Sequence, residues 1–202
     1  MKKLISLAAL LVFVGAAGTT MAAGNSAAGK ARSGVCAGCH GVDGNSAAPN
    51  FPKLAGQDAQ YIAKQLADFK SGARKDPIMT GMAAPLSKKD MDDLGAYFAS
   101  QKRTPGAANL NDDTRKVAET MYRGGNTKFG IPACMSCHGP AGAGIGPNYP
   151  AVSGQQATYT AKQLTDFKSG TRSNDGHVMT QIAFLLSESQ IKALSEYMAG
   201  LH

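Results

Sequence analysis

Charge is scarce in this sequence: Asp, Glu, Lys and Arg together make up 17% of 202 residues, below the quarter or so usual for a globular chain. That scarcity excludes a long charged coiled coil. The 24 glycines fall well short of the one in three of a collagen-like chain. Beyond residue 22 no apolar run approaches the roughly 18 residues of a membrane span, which excludes an integral membrane protein. No stretch alternates apolar and polar as a half-buried strand would. There is no Lys/Arg run with interleaved aromatics, so the basic pI of about 9.3 does not point to nucleic acid. What is left is a compact, loop-rich soluble chain, 43% hydrophobic and so rich enough in apolar residues for globular cores.

The chain opens with a leader. Met1-Lys2-Lys3 is a short positive head, Leu4 to Val14 is apolar but for Ser6, and small residues follow to Ala22-Ala23. This three-part order is that of a secretory signal peptide, with cleavage after Ala22 or Ala23 both compatible. A membrane anchor fits less well, because the apolar stretch is short and runs into small residues. The first cysteine is Cys36, too far away for a lipoprotein. The expected address is a bacterial periplasm. Without residues 1–22 the balance is 19 basic against 14 acidic, or +5; residues 23–104 carry 11 against 7 and residues 105–202 carry 8 against 7.

What the chain has in plenty is itself, twice. Cys36-Ala37-Gly38-Cys39-His40-Gly41 recurs 98 residues later as Cys134-Met135-Ser136-Cys137-His138-Gly139, and 22 of the 39 positions in 36–74 and 134–172 are identical. The second copy then gains two residues between Arg172 and Met179, after which Met79-Thr80, Leu86-Ser87 and Tyr97 match Met179-Thr180, Leu186-Ser187 and Tyr197. The organisation expected is a signal peptide over 1–22, an N-terminal domain over 23–104, a linker over 105–113 and a C-terminal domain over 114–202.

Each copy reads as helical. Asp58 to Ser71 sets Tyr61, Ile62, Leu66 and Phe69 near one face, with Gly72 as C-cap. Ser87 and Ser187 stand as N-caps of the last helices, and a first helix precedes each Cys pair, clearest over Thr114 to Arg123. Helical domains of this size with so much loop have small cores and need a staple.

All four cysteines lie in two Cys-x-x-Cys-His motifs, the attachment pattern of c-type haem. Two thiols one helical turn apart reach the two vinyl groups of one porphyrin, and the adjacent His supplies an axial nitrogen. A redox disulfide normally follows a strand in a βαβ setting, which is absent. A four-Cys zinc site does not suit the 94 residues between the pairs. Cys36, Cys39, Cys134 and Cys137 are therefore the expected attachment points of two haem c groups, with His40 and His138 on the iron. A methionine sulfur opposite His gives the electron-transfer arrangement. Of the candidate methionines only Met79 and Met179 correspond between the copies. Met82 faces Ile182, Met91 faces Ile191, and Met198 falls on Phe98. Met79 and Met179 are thus the expected sixth ligands. His177 has no counterpart and reads as a surface or supporting residue; His202 is terminal. A carbonyl in the Pro-containing loops after the motifs, where Pro49 and Pro147 recur, is expected to hold the other nitrogen of the axial His. Tyr61/Tyr159 and Tyr97/Tyr197 read as core packing with the hydroxyl at the rim.

As an ensemble these residues resemble the cytochrome c4 family, the periplasmic di-haem members of the class I cytochromes c. The resemblance rests on the two Cys-x-x-Cys-His motifs, Gly56-Gln57 and Gly154-Gln155, the Lys-Gln-Leu-x-Asp-Phe-Lys-Ser-Gly segments, Met79-Thr80-Gly81-Met82 and the closing Gly200-Leu201-His202. It implies an all-α fold of two tandem cytochrome c-like domains, each wrapped around one covalent haem. It also implies a pseudo-two-fold relation, with the haems facing each other near the interface. The implied function is single-electron carriage from the cytochrome bc complex side of respiration to a terminal oxidase, often of the cbb3 type. The expected state is a monomer, with peripheral membrane association left open. The competing class is an enzyme, either a di-haem peroxidase or the cytochrome subunit of a dehydrogenase. The second copy departs from the first at Gln181-Ile182-Ala183-Phe184, so equal potentials are not expected.

Overall fold

The computed structural model describes residues 24–202, so the proposed leader and its cleavage site lie outside the described residues. In the first copy, α1 (Ser26–Arg32) leads through a 3-10 turn, Ser33–Cys36, into the one-turn α2 (Ala37–His40), followed by α3 (Ala59–Ser71), α4 (Pro77–Ala83) and α5 (Lys88–Ala99). The second copy repeats the order as α6 (Asp112–Gly124), α7 (Met135–His138), α8 (Ala157–Lys168), α9 (Val178–Phe184) and α10 (Glu188–Ala199). Among the described residues the only β pairings are two isolated bridges, Asn126 with Ile131 and Ile145 with Tyr149.

The boundaries follow local chemistry. Asp58 caps α3 by accepting from Tyr61 N, and Gly72 closes it in the left-handed region at φ 79°, where a Cβ would be strained. Ser87 and Ser187 each form a reciprocal capping box, with Asp90 and Gln190. The short helices α4 and α9 were not anticipated, because a seven-residue segment holds too few turns to show periodicity. The second copy also carries a longer first helix, with the Asn126–Ile131 bridge between it and the Cys motif.

Two separate cores result. Ile62, Leu86, Met91, Leu94, Tyr97 and Phe98 form the first, with Cys36 and Leu54 against it. Met121, Tyr122, Leu164, Leu186, Leu194, Tyr197 and Met198 anchor the second, with Cys134 and Met179 against it. Helix α1 crosses α5 so closely that a Cβ on Gly29 would overlap the Asp93 carbonyl and come within 2.8 Å of Tyr97 Cβ. Met91 and Met198, set aside as ligands by the repeat comparison, are core residues 5% exposed.

The copies meet through contacts that repeat with their roles exchanged. The Gln155 side chain accepts from Lys53 N (2.8 Å) and donates to Lys53 O (3.0 Å); the Gln57 side chain does the same with Ala151 N (2.9 Å) and Ala151 O (3.0 Å). Lys53 and Ala151 are equivalent positions, as are Gln57 and Gln155. Arg74 reaches across to Tyr159 and Gln163, and Arg172 reaches across to Tyr61 and Gln65. The expectation for Tyr61 and Tyr159 is corrected here: their hydroxyls are acceptors at the domain interface. Arg103, just beyond α5, donates to Ala55 O (2.7 Å) and Ser153 O (2.9 Å), which are again equivalent positions.

Candidate functional site

Each Cys-x-x-Cys-His motif is a single helical turn, which places residues i, i+3 and i+4 on one side. In both copies the turn stops at a glycine with positive φ, Gly41 at 81° and Gly139 at 80°, whose N–H bonds back to Ala37 O and Met135 O. The four cysteines are free thiols, each half-buried. Burial, with Cys39 beside it, pushes the Cys36 thiol up; burial pushes Cys134 up to about 11. Cys36 packs on the first core and Cys134 on the second. A single four-Cys zinc centre is thereby ruled out by position.

His40 and His138 are buried, and both are oriented by a proline carbonyl. His40 Nδ1 bonds Pro52 O at 2.9 Å, and His138 Nδ1 bonds Pro150 O at 2.8 Å. A carbonyl only accepts, so Nδ1 carries the proton and Nε2 is left with its lone pair. Burial lowers the pKa of both imidazoles, against the opposing effect of the carbonyl bond, and favours the neutral form that can ligate. The acceptors are the carbonyls of Pro52 and Pro150, in the loops that also carry Pro49 and Pro147. The signal was present, since Pro52 and Pro150 recur at the same offset. What the sequence could not say is which carbonyl the ring would meet. Phe51 and Tyr149, also equivalent, stand edge-on to the two rings at 6.2 and 6.5 Å between centroids.

Met79 and Met179 lie in the first turns of α4 and α9, and both are half-buried. The Asp76 carboxylate accepts from Ile78 N (3.1 Å) and Met79 N (2.9 Å). In the second copy Asp175 accepts from Met179 N and Thr180 N. The two-residue insertion therefore shifts the loop but preserves an aspartate cap on each methionine turn. His177 sits at the N-cap of α9 with φ 66° and is exposed, a surface residue of the insertion. His202 is exposed and bonds Gly200 O. Tyr97 donates to Val42 O (2.9 Å), whereas in the second copy Tyr122, from α6, donates to Gly139 O (2.7 Å) and packs on Tyr197.

These donor sets suit a c-type haem. Each copy supplies two free thiols, a buried neutral imidazole held through Nδ1, and a capped turn carrying a thioether. Apolar side chains beside the motifs and methionines stay exposed in the protein alone, including Val35 (67%), Ile78 (58%) and Phe184 (68%), surface that an apolar macrocycle can cover.

Comparison with known proteins agrees. The Cytochrome c family model matches residues 26–102 and 123–202. Cytochrome c4 of Pseudomonas aeruginosa is 50% identical over 199 residues, covering 97% of this chain and 98% of the relative. A thiosulfate dehydrogenase electron acceptor of Stutzerimonas stutzeri is 41% identical over 170 residues, covering 83% and 79%. Among solved structures, reduced recombinant cytochrome c4 from Pseudomonas stutzeri superposes with a TM-score of 0.85 at 49% identity, over 89% of this chain and 100% of that one. With one cytochrome c fold built on each Cys-x-x-Cys-His turn and this likeness along nearly its whole length, the chain belongs to the cytochrome c4 family, electron carriers with two haem c groups.

Proposed function

We propose that Cys36 and Cys39 hold one haem as thioethers and Cys134 and Cys137 the other, with His40/Met79 and His138/Met179 as the axial pairs. The observation that carries this reading is the duplicated His Nδ1–proline carbonyl bond, which leaves Nε2 of two buried imidazoles as lone-pair donors. Thioether sulfur opposite imidazole favours ferrous iron and raises the potential. The protein's own part is to hold that geometry: the carbonyl bond fixes each ring, and the aspartate cap fixes each methionine turn. With both axial positions filled, oxygen and peroxide have no open site, so a peroxidase role is disfavoured.

The domains follow the repeat, over 23–104 and 114–202, with 105–113 between them. The leader directs the chain to the periplasm, where it takes electrons from the cytochrome bc complex side and passes them to a terminal oxidase. The likeness to a thiosulfate dehydrogenase electron acceptor supports a second donor class, a periplasmic dehydrogenase. The deciding experiment is reduction of the purified protein by each donor in turn. Rapid reduction by only one assigns the donor, and reduction by neither overturns the direction. The ligand set is tested by covalent haem per chain and optical spectra. Two haems, low-spin in both redox states, with the weak far-red iron–sulfur band, are expected. One haem, or a high-spin fraction that binds carbon monoxide, would sink the paired assignment.

A further inference from the structure

The loop lengthened by two residues in the second copy reaches back onto α3 of the first. The Asn174 side-chain amide donates to Asp68 Oδ2 (2.5 Å) and to Gln65 Oε1 (3.1 Å), and the Asn174 carbonyl accepts from Lys64 Nζ (2.8 Å). Lys64 also pairs with Asp68 (2.5 Å). One ammonium and one carboxylate of α3 thus hold Asn174 by both its backbone and its side chain. Arg172 adds a bond to Asn174 Oδ1 (3.0 Å) while donating to Tyr61 and Gln65 of α3. An exposed Lys–Asp pair adds little stability by itself; here it restricts where Asn174 sits.

The next residue is Asp175, joined to Asn174 by one planar peptide. Its carboxylate accepts from Met179 N and Thr180 N, and the chain reverses through Gly176 (φ 65°) and His177 (φ 66°) into α9. Two adjacent residues therefore link α3 of the first domain to the methionine turn of the second. The link is one-sided. In the first copy the loop is shorter and Lys75 stands before Asp76; among the described residues only Arg74 of that loop hydrogen-bonds across the boundary. Lys162 and Asp166, the equivalents of Lys64 and Asp68, pair with each other.

We propose that Asn174 is a positioning residue for the second haem. Its hold on Lys64 and Asp68 fixes the Asp175 cap, and through it the Met179 sulfur, so one axial bond depends on a contact with the other domain. This rests on Met179 as the sixth ligand. Loosening the contact frees the methionine turn, weakens the iron–sulfur bond and lowers the potential of that haem. Met79, capped by Asp76 of its own copy, is untouched.

The test uses the holoprotein. The readouts are the midpoint potential of each haem and the ε-methyl proton resonances of the two ligand methionines in the ferrous state, with Met79→Ala identifying one by its loss. Asn174→Ala and Asp68→Ala are each expected to shift or broaden the Met179 resonance and lower the potential of the second haem alone. Asp166→Ala, the equivalent change in α8, produces no such fall. Asp68→Asn removes the same charge but keeps an acceptor for Asn174, and stays close to the unaltered protein. Loss of a negative charge by itself raises a potential, so the sign also separates the two causes. Equal effects of Asp68→Asn and Asp68→Ala would reduce the contact to its charge and overturn the positioning role. Shifts of the same size at both haems would mean a general loosening of the domain boundary and overturn it as well, as would no shift at all. Absence of a Met179 ligand resonance in the unaltered protein would remove the sixth-ligand assignment and the positioning role together, before any loop substitution is made.

Discussion

At the residue scale, the site depends on atoms that orient ligands as much as on the ligands. Met79→Ala or Met179→Ala is expected to lower the potential of one haem and open it to carbon monoxide, leaving the other unchanged. Separate redox titrations of the two variants check this. The motifs and the two methionines stand out in the sequence because the duplication supplies an internal comparison, in which an unpaired Met82 or His177 drops out. The Pro52 and Pro150 carbonyls were legible only as recurring prolines, since which backbone oxygen faces a ring is decided by loop path. A titrating group holds the N-cap of α1. Asp93 is held below the usual carboxylate range by a hydrogen bond from the Lys89 side chain, then by Asn25 N–H, which together outweigh its burial. A depressed carboxylate adds stability above its unfolded pKa of about 3.9 and loses it as pH falls through the lower folded value. Acidification through that lower folded value should therefore release Asn25 from α5. Amide exchange at Asn25 followed from about pH 6 down to about pH 2 reads this directly, and unchanged protection over the whole range would refute it.

At the scale of elements, helix ends and crossings set the stability. Gly29→Ala forces apart α1 and α5, because the new methyl meets the Asp93 backbone carbonyl, which cannot rotate away as a side chain would. Overpacking of this kind costs about 1–3 kcal/mol, expected as a lower denaturant midpoint at unchanged slope. Ser187→Ala removes one half of a capping box and should cost about 1 kcal/mol, read by the same denaturation. The caps at Ser87 and Ser187 and the stop at Gly72 could be read from sequence, since each depends on neighbours a few positions away. The helices bearing Met79 and Met179 could not. Their seven residues are held by Asp76 and Asp175, and in the second copy the aspartate lies in an insertion that shifts the alignment.

At the scale of the whole molecule, two all-α domains were evident from the repeat, but the surface joining them was not. Gln57, Gln65 and Arg74 recur in the sequence with nothing to show that their partners lie in the other copy. Their burial makes them costly to truncate. Gln57→Ala strands both the N–H and the C=O of Ala151, and an unsatisfied buried polar group costs about 1–3 kcal/mol. Gln155→Ala does the same at Lys53. The two variants are expected to lose similar stability and to expand the molecule in small-angle scattering. Loss in one alone would show that the two contacts are not equivalent. Arg103 is different: it lies just beyond α5, bonds equivalent carbonyls of both copies, and is pushed down to about 10 by burial, which leaves it charged near neutrality. The paired glutamine exchanges carry a consequence of symmetry. A contact in which residue i meets j and j meets i is isologous, the kind by which identical chains form closed dimers. Such a contact would work equally between two free copies of one domain, so the surface that joins the two domains of this chain has the self-complementary form of a homodimer interface.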